Sequence, residues 1–356
     1  MPTDLIKHGR RTLVAAGLAV LTLAGCGSPH GAQRPAPPVT APGSARQMLD
    51  ILRTVLPEGT LSEQHGPGPA GATGGPPSAQ VVFTRGGRAA RLTVTVNRYA
   101  LPVPEQFATC PDSAYHPYSR CTRARLPGGA LLTQDRSPAD EKHPSGAEVL
   151  TTLLTHEDGS QVFVSQGPGP SGTAAAGRTA LPLTAEELAA VARSPAWKPV
   201  LPATTVPRAA PQDSSLVPRM TGLQIADTIA GLLPPGLRTA QRGGSLGFGH
   251  LTADDGDGKG LVAVNVQQWK PGNPTLDQLF HDARTLTDGT RVGVRTAPSA
   301  HGGAGAVEWT VDTLRTDGLR VVITAVNAPA YLLPATRPEP VLTTRQLQRI
   351  ALAPAS

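Results

Sequence analysis

Aromatic side chains are scarce in this 356-residue chain, with four Tyr, five Phe and three Trp making up 3%. Charged residues reach only 16%, so a core has to be built from Val, Leu, Ile and Ala. No run of about 20 apolar residues occurs, which excludes a polytopic helical membrane protein. The chain has neither a G-X-Y period nor a sustained heptad, which excludes collagen and a long coiled coil. Cysteine is limited to three residues, and no further ligands at zinc spacing accompany them, so no metal site is expected. The net charge is +6. The bases are scattered instead of forming a stripe with interleaved aromatics, so nucleic acid is not the expected partner. What is abundant is Gly (39) and Pro (37), together with Ala and Thr, a habit of GC-rich genomes. The length suggests about two domains.

The first 26 residues carry the most specific pattern. Lys7, Arg10 and Arg11 form a basic start, and Leu13 to Ala24 is an apolar run too short for a stable bilayer span. It ends in Leu23-Ala24-Gly25-Cys26, which resembles the lipobox of bacterial lipoproteins, secreted actinobacterial ones among them. The resemblance implies thioether-linked diacylglycerol on Cys26, cleavage before it, and usually an acyl group such as palmitate on the new amino terminus. Two or more chains give stable anchoring, whereas one holds only marginally. The implied location is the extracytoplasmic face of the cell membrane. An ordinary signal peptide with an incidental Cys26, or twin-arginine export through Arg10-Arg11, are the competing readings. Residues 26–45 then form a Pro/Gly-rich tether.

The mature chain repeats itself. Met48–Gly59 aligns with Ile225–Gly236, each with apolar residues at helical spacing followed by Pro and then Gly. Leu92–Tyr99 aligns with Val262–Trp269, alternating strands that end in an aromatic. Val149–Val164 aligns with Glu308–Ile323, each with an Asp-Gly between apolar runs. Leu183–Val191 aligns with Leu342–Ile350, where Thr184 with Glu187 and Thr343 with Gln346 make the same capping box. The shrinking offset places two insertions in the first copy, around 67–77 and between Tyr99 and Leu126. The expected fold is therefore α+β: two tandem homologous domains, 46–198 and 216–356, each a mainly antiparallel sheet packed with helices. A Pro-rich linker, 199–215, joins them. Each copy is expected to run helix, strands, short helix, strands, helix.

Chemistry is sparse. Cys110 and Cys121 fall within the second insertion of an exported chain, which predicts a disulfide that closes a short loop and contributes roughly 3 kcal/mol. Tyr115, His116 and Tyr118 lie inside that loop and offer a possible contact surface. Covering the disulfide is the simpler role for these rings. Gly243-Gly244-Ser245-Leu246-Gly247 fits G-x-S-x-G, but a helix precedes it and strand-like sequence follows, the reverse of a nucleophile elbow. Asp254–Lys259 is acidic but lacks oxygen ligands at the EF-hand positions, so a hairpin tip is expected. His281-Asp282 is expected on a solvent-facing helix, while Tyr99, Trp269, Trp197 and Trp309 are expected in core or rim packing. No catalytic or cofactor-binding residue is assigned and no cofactor is expected. The expected function is a membrane-anchored, non-enzymatic binding or assembly module. Its partner would be an envelope protein or other ligand. The alternatives are an envelope hydrolase or a carrier of an apolar ligand, and a pocket with convergent groups would discriminate them.

Overall fold

Two equivalent helices open the two halves. In the computed structural model, which describes residues 44–65, 76–103, 107–169, 180–201 and 220–354, α1 (Ala45–Val55) starts at Ser44, whose hydroxyl accepts from the Gln47 N–H. It ends at Leu56, before Pro57, because the residue ahead of a proline is steered out of the helical region. Strands β1 (Thr60–His65), β2 (Ser78–Arg85), β3 (Arg88–Arg98), β4 (Arg120–Arg125), β5 (Leu131–Pro138), β6 (Glu148–Thr155) and β7 (Ser160–Pro168) follow, then α2 (Ala185–Arg193). The second half repeats the series. It comprises α3 (Gly222–Leu232), β8 (Arg238–Ser245), β9 (Phe248–Asp254), β10 (Lys259–Gln268), α4 (Pro274–Leu279), β11 (Arg284–Thr285), β12 (Arg291–Pro298), β13 (Val307–Leu314), β14 (Leu319–Val326) and α5 (Thr344–Ala351).

The strand orders are the same. One sheet runs β1-β2-β3-β7-β6-β5-β4 and the other β8-β9-β10-β14-β13-β12-β11, and every pairing is antiparallel. Finer details recur as well. The β1–β2 ladder slips after Ser62 and the β8–β9 ladder after Ala240. Each slip holds a non-glycine residue at positive φ, Glu63 at 45° and Gln241 at 48°, as in a bulge that bends the edge strand. Both predicted capping boxes form, Thr184 with Glu187 and Thr343 with Gln346, and Thr221 with Gln224 makes a third at α3. Two similar domains, mainly β with helices, are thus present. The described residues of both belong to a single compact unit.

Each sheet packs its first and last helices, α1 with α2 and α3 with α5, on one face. Met48, Leu52, Phe83, Leu92, Val164 and Leu188 close the first core around Trp197, which is 1% exposed and donates its indole N–H to Val191 O. Ile225, Ile229, Leu251, Val262, Ile323 and Leu347 close the second, with Trp309 packed at its rim. The outer faces differ. Along β3 the alternate residues Thr93, Thr95 and Asn97 are polar and half-buried. Along β9 every residue from Phe248 to Ala253 is buried, on both faces. Something covers the second sheet from outside.

The expected short helix can be described in the second domain. Helix α4 caps the outer face at Phe280 and Leu314 in the second domain. In the first domain 104–106 lie outside the described residues, and the disulfide-tied segment 108–119 runs as turns and irregular chain. The tether and most of the linker and of the 67–77 insertion lie outside the described residues, as does Cys26.

The duplicated hairpins impose a shared constraint. In the β6–β7 and β13–β14 loops, Gly159 and Gly318 have φ of 81° and 86°, and each accepts a hydrogen bond from the backbone N–H of a strand-end aromatic, Tyr99 or Trp269. A Cβ on Gly159 would sit 2.2 Å from Tyr99 O, and one on Gly318 2.0 Å from Trp269 O. Gly159→Ala and Gly318→Ala should each destabilise the protein by about 1–3 kcal/mol in chemical denaturation. Neutral effects at both positions would contradict the equivalence.

Candidate functional site

The insertion of the first domain is a bridge. Its near end is held on that domain by the Tyr99–Phe107 stack, 4.8 Å between ring centroids, and by the Gln161 side-chain amide, which donates to Phe107 O at 2.6 Å. Its far end is tied by the Cys110–Cys121 disulfide, with a Cα separation of 5.7 Å, which joins the loop to β4. Ser119 Oγ also donates to Asp135 Oδ1 at 2.6 Å.

Between these ties, Asp112 organises the turn. Its carboxylate accepts from the Ala114 N–H at 2.8 Å, and its carbonyl accepts from the N–H groups of Tyr115 and His116, the kind of turn that short acidic side chains favour. The turn presents Ala114 and Tyr115 to the outer face of the second sheet. Ala114 is 2% exposed and belongs to a cluster with Phe248, Leu261, Ala263, Val326, Ala328 and Tyr331. Tyr115 stacks on Tyr331 at 5.0 Å and tilts against Phe248 at 5.3 Å. Aromatic pairs of this kind contribute about 0.5–1.5 kcal/mol each beyond their burial. A backbone hydrogen bond from the Tyr331 N–H to Ala114 O, 2.9 Å, joins the two domains directly. Burial and the neighbouring Tyr115 and Glu308 push the Tyr331 phenol well above its ordinary range, so it stays neutral.

Beneath this contact lies His250 of β9, 2% exposed. Its Nε2 stands 2.8 Å from Asp112 Oδ1. The contact lies off the N–H axis, since neither ring nitrogen has an aligned hydrogen-bond partner. Such a group is costly to bury and specific in what it accepts. Desolvation pushes the Asp112 carboxyl up, but the interaction with His250 and the Ala114 N–H outweigh it and hold it below the ordinary 3.8.

Two cavities flank the imidazole. A groove of about 690 Å³ is lined by Asp112, Tyr115, His116, Arg123, Ser245, Phe248 and His250. A smaller one, about 200 Å³, reaches His250 from the side of Gln241, Thr252 and Lys259. The groove falls in the size range of ligand sites, and aromatic walls with a few polar groups are their usual lining.

The sequence-stated candidates therefore separate. Tyr115 meets the second domain of its own chain as well as the groove. His116 lines the groove and pairs with Glu141 at 3.0 Å, whereas Tyr118 is half-buried in the loop. Ser245 of the G-x-S-x-G segment ends β8 in a β8–β9 hairpin, with no strand-to-helix elbow. Serine, histidine and aspartate line one groove, but no hydrogen bond joins Ser245 to His250, so no triad is assembled. The Asp254–Lys259 turn is a hairpin tip, as expected. Arg337 holds its Asp255 by two hydrogen bonds of 2.7 and 2.9 Å, lowering that carboxyl to about 2. His281 and Asp282 pair at the surface. No group of three or more His, Cys, Asp and Glu able to hold a metal is found among the described residues, and no helix among them is long and apolar enough to cross a membrane. His250 was missed in the sequence because a lone histidine in an alternating strand signals nothing by itself. The signal was the apolar Phe248 and Leu261, which occupy the face that a one-sided sheet leaves polar.

No family model matches the sequence, and no curated protein does. Among solved structures, MucB in complex with MucA(peri) is similar at 11% identity and a TM-score of 0.18, over 87% of this chain and 97% of that one. The Pseudomonas aeruginosa MucA/MucB complex is similar at 11% identity and a TM-score of 0.17, over the same shares. Likenesses of this strength assign neither a fold family nor a function.

Two outcomes follow for the bridge. Cys110→Ser with Cys121→Ser should leave both sheets folded but speed amide exchange along the outer-facing residues of β9 and β10, because the loop loses its far tie. Unchanged exchange there would show that the disulfide does not hold the loop. The stabilisation from Asp112 should be fully present at neutral pH and lost as the pH falls through and below 3.8, since its folded value is the lowered one. Urea denaturation should show Asp112→Asn less stable by about 1–3 kcal/mol at neutral pH. The difference should close in acid.

Proposed function

We propose that this protein is a lipid-anchored binding module of the cell envelope, held by acyl chains on Cys26 and binding a partner segment in the groove between the bridge loop and the second sheet. The observation that carries the reading is the groove itself. It is about 690 Å³, bounded by the aromatic rings of Tyr115 and Phe248, and it contains a buried imidazole with no aligned partner. That combination of an apolar wall and a ring nitrogen, Nδ1, without a partner suits a segment that brings both an apolar side chain and a hydrogen-bonding group. The sequence pattern at Cys26 supplies the anchor, and the tether would hold the groove clear of the bilayer.

The hydrolase alternative has one observation in its favour, the presence of Ser245, His250 and Asp112 around one space. The absence of a Ser245–His250 hydrogen bond weighs against it.

Fractionation tests the anchor. Cys26→Ala should release the protein from membranes or leave it unprocessed, and unchanged detergent-dependent membrane association would remove the lipoprotein reading. A photo-crosslinking residue tests the groove in native membranes. At Ser245 or Arg123 it should give an adduct of discrete mass, and at Arg349 on α5 none. No adduct, or equal adducts at all three positions, would contradict the binding reading. Labelling of Ser245 by a fluorophosphonate would favour the hydrolase.

A further inference from the structure

Another cavity, independent of the groove, opens in the first domain where the end of β3, the β6–β7 loop and the end of α2 meet. It measures about 480 Å³. Three permanent cations line it. Arg98 ends β3, Arg193 closes α2, and Lys198 follows the 3-10 turn Pro195–Trp197. His156 of the β6–β7 loop adds an imidazole. Among the described residues lining it, one carboxylate, Asp158, answers them.

That carboxylate is already committed. Asp158 accepts from the Ser160 N–H and hydroxyl at 3.0 and 2.6 Å and pairs with Arg98 at 2.5 Å. Ser160 and Arg98 hold it down to about 2. It therefore stays charged and compensates one cation, leaving two. Arg98 Nε is buried without any partner, and Arg193 gives only its Nε, to Ala189 O at 3.2 Å. The Arg193 charge also suits the negative end of α2, but that accounts for one of the three cations. The floor is apolar, formed by Val162, Ala192 and Trp197.

The second domain lacks this arrangement. Gln268 stands in place of Arg98, and Leu352 in place of Arg193. Arg315, in place of His156, is spent on Ala353 O at 2.7 Å. The cations are thus not a requirement of the shared fold.

We propose that this cavity binds a phosphate-type oxyanion carried on an apolar or ring-bearing body, with Arg98, Arg193 and Lys198 as its anion-holding groups. Two uncompensated cations match the charge of a phosphate monoester, and arginine and lysine are the side chains that bind it best. The cavity is far larger than one phosphate, and its floor takes the remainder. The same chemistry is offered by a soluble organic phosphate and by an anionic phospholipid headgroup.

The test uses the full chain carrying Cys26→Ser, so that no acyl group contributes. Calorimetric titration with phenyl phosphate should show saturable binding, stronger than with inorganic phosphate and weakened by salt. Lys198→Ala and Arg193→Leu, the latter copying the second domain, should each weaken it about tenfold, or about 1.4 kcal/mol. Both side chains are exposed, so both variants should fold, with circular dichroism as the check. Co-sedimentation with phosphatidylglycerol vesicles, set against phosphatidylcholine, distinguishes the source. Binding to the acidic vesicles that both variants abolish identifies a headgroup, and phenyl phosphate binding without vesicle binding identifies a soluble ligand. No saturable binding of either probe, or binding that both variants leave unchanged, overturns the proposal.

Discussion

The interaction on which the rest of the structure depends is the docking of one turn, Asp112 to Tyr115, onto the outer face of the second sheet. A sheet covered by helices on one side only would have polar residues on the other, as β3 has. The second sheet instead presents Phe248, Leu261, Ala263 and Val326, and those side chains need a cover. Ala114 and Tyr115 supply part of it from the first domain, and Tyr331 supplies part from the second. The apolar contact is non-directional. The Tyr331 N–H to Ala114 O bond and the Asp112–His250 pair fix where it sits.

The duplication explains why this asymmetry exists. Two equal domains, each with helices on one face, leave two outer faces. The second domain closes part of its own with α4, at Leu276, Phe280 and Leu314. In the first, the described chain from residue 107 onward goes into the insertion, which crosses to its neighbour. A disulfide suits such a segment, because a loop with few internal apolar contacts gains order mainly from ties at its ends. The groove is a by-product of the same geometry: where a narrow turn crosses a broad sheet, space remains on either side, and His250 lies between the two cavities.

Much of the fold was legible in the sequence. The capping boxes at Thr184 and Thr343, the Asp-Gly hairpins and the strand-end aromatics Tyr99 and Trp269 are local signals, and local signals survive in a chain read one segment at a time. The Cys110–Cys121 pair was legible for the same reason. The site was not. Tyr115 and His116 were visible as aromatic and titratable residues on a stapled loop. Their meeting with Phe248, His250 and Tyr331, more than 100 positions away, depends on how two domains pack. The Arg98, Arg193 and Lys198 cluster was hidden likewise, since the end of β3 and the end of α2, nearly 100 positions apart, assemble it. The expected short helix is present in the second domain, where Asn273-Pro274 opens it with a capped first turn; the matching place in the first domain, 104–106, lies outside the described residues.

The central claim is that the bridge loop makes two domains into one cooperative body. Differential scanning calorimetry of the wild-type protein and of Tyr115→Ala, with the disulfide intact in both, addresses it directly. The wild type should melt in one transition whose calorimetric and van't Hoff enthalpies agree. Tyr115→Ala should separate it into two, the second domain melting first because its outer face is uncovered. Two independent transitions already present in the wild type, or a single unshifted transition in the variant, would contradict the account.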